Sequence, residues 1–301
     1  MQELSYYAQQ SKFSDPGKYS SLYQDLPTNI EAIANIVHGL VVHQDATNSL
    51  YGFELPKAQL LEANTRYIEE ILALIVDRDS ASLTKTRVPK DRFVGSCRDF
   101  ALLTCSILRA KGIPARLRCG FATYFHDDWF PDHWVCEYWD LSSKAWRLVD
   151  SELGEEEKDY YHVDFDHINI SRENFLVAGK VWLGAKNGQY NPDIYGVKAI
   201  NIKGLWFIRA DVYRDLASLN KIELLPWDYT KYYDQRISEL SEIDLLLTDQ
   251  IASIISQEDV NFTKTQQLYR DNPKLQVTSN ITSYTNQGPK VVNITDINAE
   301  V

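Results

Sequence analysis

The feature that most constrains this chain is the run from Ser96 to Glu152, where one helical pattern is followed by three strand-like patterns. In "SCRDFALLTCSILRAKGIPAR", Ala101, Leu102, Cys105 and Leu108 recur at three- and four-residue steps, the spacing of one helix face. Lys111-Gly112 stops the helix, and Pro114 lies just beyond, where it cannot continue it. "ARLRCGFATYF" (115–125), "HWVCEYWD" (133–140) and "AWRLVDSE" (145–152) read as strands, the last two joined by "LSSK" into an antiparallel hairpin. A helix followed by a meander of strands is an α+β plan.

Cys97 stands at the start of that helix. A thiol is a useful nucleophile only as a thiolate, and a helix N-terminus and a neighbouring imidazole both favour that form. The unpaired N–H groups of a first helical turn attract negative charge and are natural donors to an oxyanion. His133 opens the second strand and supplies a candidate imidazole, and Asp150, at the end of "WRLVD", a candidate acceptor to orient it. A hairpin turning near Ser142–Ser143 pairs His133 with a residue near 152. Asp150 is then its close or diagonal neighbour, roughly 7–8 Å away at the backbone.

These residues resemble the transglutaminase-like superfamily, cysteine enzymes of papain-like fold. The resemblance rests on "GSCRDFALLTCSILRAKGIPARLRCGF", "DHWVCEYWD" and "WRLVDSE", over about residues 90–155. It implies Cys97 as nucleophile, His133 as general base and acid, and Asp150 as the residue orienting His133. It implies a core in which the nucleophile helix packs on an antiparallel sheet, with added N- and C-terminal helices. The implied activity is acyl transfer through a thioester acyl-enzyme, forming or exchanging an amide bond. An amide or peptide hydrolase with the same triad is an alternative, and so is a non-enzymatic interaction domain that keeps the fold. The substrate would be an acyl or amide group on a peptide, a protein or a carrier-bound thioester. No cofactor is required. Relatives place an aromatic or amide side chain upstream of the cysteine as second oxyanion donor, and Tyr51 is the candidate here. Asp99 and Trp134 are further candidates for substrate or oxyanion contact, although Asp99 also suits the first turn of a helix.

The rest of the chain narrows the reading. The formal net charge of −11 argues against nucleic acid and against a polybasic membrane patch. The first residues lack the apolar run of a signal peptide, and no stretch is long and apolar enough to span a bilayer, so a cytoplasmic location is expected. Cys97, Cys105, Cys119 and Cys136 form no CxxC pair and read as reduced thiols, the last three in the core. "HDDWFPDH" (126–133) and "YYHVDFDHIN" (160–169) lack metal-site spacing, so no metal is expected. Residues 1–27 read as a polar surface arm, 28–45 as a helix capped by Thr28 or Asn29, and 55–79 as a second helix. "NFLVAGKVWLGAK", the segment after "NIKG" and "RISELSEIDLLLTDQIASIISQ" read as further helices. Arg209, Asp211, Arg214 and Asp215 read as a solvated helix face with internal ion pairs. One domain is expected over 1–260, with 261–301 a polar flexible tail.

Overall fold

The computed structural model describes residues 2–285 and 287–294. The fold is α+β, with a papain-like core. The chain divides into two compact units, Met1–Leu117 with Trp134–Ile170, and Arg118–His133 with Ser171–Val301. Two strands, β3 (Ala115–Ala122) and β4 (Phe130–Asp140), run through both.

The first unit holds α1 (Gln2–Tyr7), α2 (Ile30–His38), β1 (Val41–His43), α3 (Ala46–Ser49), α4 (Ile68–Arg78), β2 (Phe93–Gly95), α5 (Cys97–Ala110), β5 (Ala145–Val149) and α6 (Glu155–Tyr161). Asn29 caps α2 by accepting from the Ala32 N–H. The expected helix over 28–45 ends at His38, because Val41–His43 instead pairs in parallel with Phe93–Gly95. The 55–79 pattern splits into a 3-10 turn (Gln59–Asn64) and α4, with Thr65 and Tyr67 extended between them. The main helix, α5, ends as the sequence indicates: Gly112 takes φ +75°, a left-handed conformation that glycine adopts without strain. It lies against the strands, with the Cys105 thiol on Cys136 of β4 and Arg109 Nε donating to the Ala115 carbonyl of β3 at 2.9 Å. The hairpin has the expected register, pairing Cys136 with Val149, Trp139 with Trp146 and Asp140 with Ala145.

The surface arm expected over 1–27 is instead part of this unit's core. Tyr7, Phe13, Tyr23 and Leu26 are buried. Tyr7 packs edge-on against Trp146 at 5.6 Å, and the Ser14 carbonyl accepts from the Ser106 hydroxyl at 2.6 Å. Serines and tyrosines look polar in sequence, but each of these finds its partner far along the chain.

The second unit adds β6 (Phe175–Val177), α7 (Ala178–Lys186), β7 (Tyr195–Val197), β8 (Ile202–Lys203), α8 (Leu205–Leu219), β9 (Asp228–Tyr229), α9 (Glu242–Ile255), α10 (Phe262–Asp271), β10 (Asn280–Thr285) and β11 (Gly288–Asn293). Its main sheet runs β6-β3-β4-β7-β8. In it β6 pairs antiparallel with β3 and β8 antiparallel with β7, whereas β4 and β7 pair in parallel. A parallel neighbour needs a long crossover, and more than fifty residues intervene here. Residues 261–294, expected as a flexible tail, form α10 and the β10–β11 hairpin, burying Tyr269, Leu275, Val277 and Ile281. Residues 295–301 lie outside the described residues. The α8 charges are not solvated either. Arg209, Asp211, Arg214 and Asp215 are wholly buried, with Arg214 on Asp211 at 2.6 Å and Arg118 of β3 on Asp215 at 2.8 Å. The missing signal was the partner strand: a buried arginine on β3 turns a charged helix face inward.

Candidate active site

The start of α5 is fixed by its own sequence. Ser96 takes an extended conformation at the N-cap, and the wholly buried Asp99 folds back onto it. Asp99 Oδ2 accepts the Ser96 N–H at 2.9 Å and the Ser96 hydroxyl at 3.2 Å. Its Oδ1 accepts from Arg98 at 2.9 Å, and Arg98 also donates to the Arg66 carbonyl at 2.7 Å. Asp99 is therefore a capping and pairing residue, and its carboxylate is turned into the protein. Cys97 is the first residue of the helix and is 7% exposed. The other three cysteines are free thiols in the core.

His133 sits on β4 in the second unit and is 2% exposed. Its ring is met edge-on by Phe125 at 5.1 Å, Tyr124 at 6.0 Å and Phe175 at 6.4 Å. These aromatics limit how the imidazole can turn. The loop 126–128 before it is exposed, and Asp128 pairs with Lys198.

Asp150 follows β5 in the first unit and is 1% exposed. Its N–H donates to the His167 carbonyl, and its Oδ1 accepts the Glu152 N–H, both at 2.9 Å. The next residue, Ser151, meets Thr104 of α5 hydroxyl to hydroxyl at 2.7 Å, so the Asp150 turn is tied to the Cys97 helix. Beyond it, the Gly154 N–H donates to Glu157 at 3.1 Å, and Glu157 also accepts from His38 Nε2 at 2.8 Å and from the Tyr51 hydroxyl at 2.5 Å. A Cβ on Gly154 would sit 2.2 Å from the His38 ring, so only glycine fits this approach. Burial pushes the Glu157 carboxyl up, but the bonds from His38 and Tyr51 outweigh it and hold it low.

Two other candidates from the sequence differ in fate. The Tyr51 hydroxyl is committed to Glu157. Trp134 is 1% exposed, and its indole N–H has no hydrogen-bond partner among the described residues. One residue went unnoticed in the sequence. Glu152 is buried, its Oε2 has no hydrogen-bond partner among the described residues, and one of its oxygens lies within 4.8 Å of one of Asp150. Its only sequence signal was its place two residues past Asp150. For metal chemistry, His38, Glu156 and Glu157 bring one ligand atom each within 4.8 Å of one another, although His38 and Glu157 already bond each other.

Residues 62–151 match the family model of the transglutaminase-like superfamily. This segment is a transglutaminase-like domain. It includes Cys97, His133 and Asp150. The transglutaminase-like segment covers well under half of the chain, and the helices and sheet after Ser171 lie outside it. No curated protein matches the sequence. A solved structure from Cytophaga hutchinsonii, provisionally named a cysteine protease, is 17% identical, over 50% of this chain and 42% of that one, with a TM-score of 0.33. The match thus spans about two fifths of that protein's length. No helix among the described residues is long and apolar enough to cross a membrane.

Proposed function

We propose that this chain performs cysteine-dependent acyl transfer to an amine, with Cys97 as nucleophile, His133 as general acid and base, and Asp150 orienting His133. The observation that carries this reading is Cys97 at the first position of α5, within a segment that matches a cysteine-enzyme superfamily. A thiolate there gains from the helix N-terminus. The Cys97 thiolate attacks the acyl carbonyl, and the His133 imidazolium protonates the leaving group, giving a thioester and a neutral imidazole. An amine then attacks the thioester. Its nitrogen bonds to the carbonyl carbon, the C–S bond breaks, and His133 takes a proton, restoring the thiolate–imidazolium pair. The Cys97 N–H is one oxyanion donor. The Trp134 indole N–H is a better candidate for the second than Tyr51, whose hydroxyl already donates elsewhere. The aromatic ring wall at His133 supports transfer by excluding water. Water in place of the amine gives the hydrolase reading, with every earlier step shared.

The test is the rate of Cys97 alkylation by iodoacetamide between about pH 4 and about pH 9, read by peptide mass spectrometry. His133→Ala is the comparison and Cys97→Ser the site control. Labelling that persists well below the free-thiol value of about 8.5, and drops in His133→Ala, is the expected result. Labelling that rises only near that value, or a protected Cys97, would sink the nucleophile and leave the interaction-domain reading.

A further inference from the structure

Glu152 is 8% exposed and has an unpartnered oxygen, with Asp150 within 4.8 Å. Burial, then the charges of Asp150, Glu157 and Asp45, push its carboxyl well above the usual range. On the surrounding elements, Tyr161 of α6 also feels Glu152, Tyr51 and His38 are bonded to Glu157, and Lys158 pairs with Glu155. A buried carboxyl oxygen without a hydrogen-bond partner is costly.

Asp45 lies just past the end of β1. β1 and β2 pair in parallel, His43 beside Gly95, and the Gln44 N–H donates to the Gly95 carbonyl at 2.9 Å. Asp45 is exposed and Glu152 is buried, and the two interact electrostatically. Acidic groups thus run from solvent-exposed Asp45 to a buried Glu152 oxygen that has no hydrogen-bond partner among the described residues.

We propose that Glu152 is the seat for the protonated amine acceptor, with Asp45 at its rim, so that these two residues select an amine over water. The proposal rests on the acyl-transfer reading above. Its chemical logic is a proton count. An amine arrives as R–NH3+ and must lose two protons as the amide forms, whereas His133 takes one. The Glu152 carboxylate takes the first, leaving R–NH2. That nitrogen bonds to the thioester carbon, the C–S bond breaks to the Cys97 thiolate, and His133 takes the second proton. Water sheds one proton in the same step and needs no such second acceptor.

The probe is n-pentylamine, which is cationic at pH 7, with 1-pentanol as its neutral counterpart. Each is added to the iodoacetamide assay on the full chain, and protection of Cys97 is read as the rate ratio with and without it, within each variant. Pentylammonium should protect wild type and 1-pentanol should not. In Glu152→Gln the concentration for half protection should rise about tenfold or more, the scale of one lost charge-assisted hydrogen bond. In Asp45→Asn, at the solvent-exposed rim, it should rise only a few-fold. Equal protection of wild type and Glu152→Gln, equal protection by 1-pentanol, or the same protection by calcium chloride would overturn the proposal. If Glu152→Gln fails to fold, Asp45→Asn and the amine–alcohol contrast still decide it. If Cys97 proves activated but pentylammonium does not protect, this inference alone falls. If Cys97 is not activated, the acyl-transfer reading falls instead.

Discussion

Removing the Asp99 carboxylate should destabilise the first unit by several kcal/mol, because three donors depend on it. In Asp99→Ala the Ser96 N–H and hydroxyl lose their acceptor, and Arg98 loses its carboxylate while staying wholly buried. Losing a cap costs about 1 kcal/mol. Removing one partner of a buried ion pair costs about 3–5 kcal/mol. Arg98 keeps its bond to the Arg66 carbonyl, which favours the lower end of that range. The expected loss is about 4 kcal/mol, read as a shift in the urea midpoint of tryptophan fluorescence at unchanged slope. Asp99→Asn keeps an acceptor for Ser96 and should lose about half as much. The double variant Arg98→Met/Asp99→Ala removes both charges and should recover about 2 kcal/mol relative to Asp99→Ala. A loss below about 1 kcal/mol in Asp99→Ala, or a double variant no more stable than the single, would refute the stranded-charge argument.

Three further outcomes follow from the Asp150 turn. Gly154→Ala should cost about 1–3 kcal/mol by forcing its Cβ against the His38 ring, and a thermal melt checks it. Glu157 has a folded-state pKa held below its ordinary 4.5, so its contribution is present above that value and lost as pH falls through the lower one. Glu157→Gln should therefore be less stable than wild type by about 1 kcal/mol at pH 7, with the gap closing below about pH 4.5 in pH-dependent melts. Glu152 has the opposite sign: its folded-state pKa is raised, so stability present below 4.5 is lost as pH rises. Glu152→Gln should be more stable than wild type at pH 7 and no more stable at about pH 4, and equal stability at pH 7 would refute the buried-charge account.

What could be read in the sequence was local. The helix start at Cys97, the stop at Gly112 and the hairpin about Ser142–Ser143 are each set by a few neighbouring residues, and the structure has all three. What could not be read depends on distant partners. Tyr7 is buried because Trp146 is there, and Asp215 because Arg118 reaches it from β3. The helix expected over 28–45 fails at Val41 because a parallel partner fifty residues on offers backbone bonds. Residues 261–294 lack periodicity, yet the Tyr269 hydroxyl accepts the Val277 N–H at 2.8 Å and Tyr284 bonds back to Asp234. Polar composition concealed contacts of that kind.

The candidate site divides along the same line. Cys97 at a helix start follows from capping rules, and Asp150 at a strand end follows from the hairpin register. Tyr51 was singled out only for lying upstream of Cys97, and its hydroxyl serves Glu157. Glu152 could not be weighed at all, since a glutamate in a turn is ordinarily solvated. Its importance comes from α6 and the N-cap of α3, whose Glu157, Tyr161 and Asp45 interact with it electrostatically. A chain selected for stability alone would place an amide or an apolar side chain there. A carboxyl that weakens the fold at neutral pH is better explained by a cationic ligand that binds it, and the same Glu152→Gln variant measures both the stability cost and the binding gain.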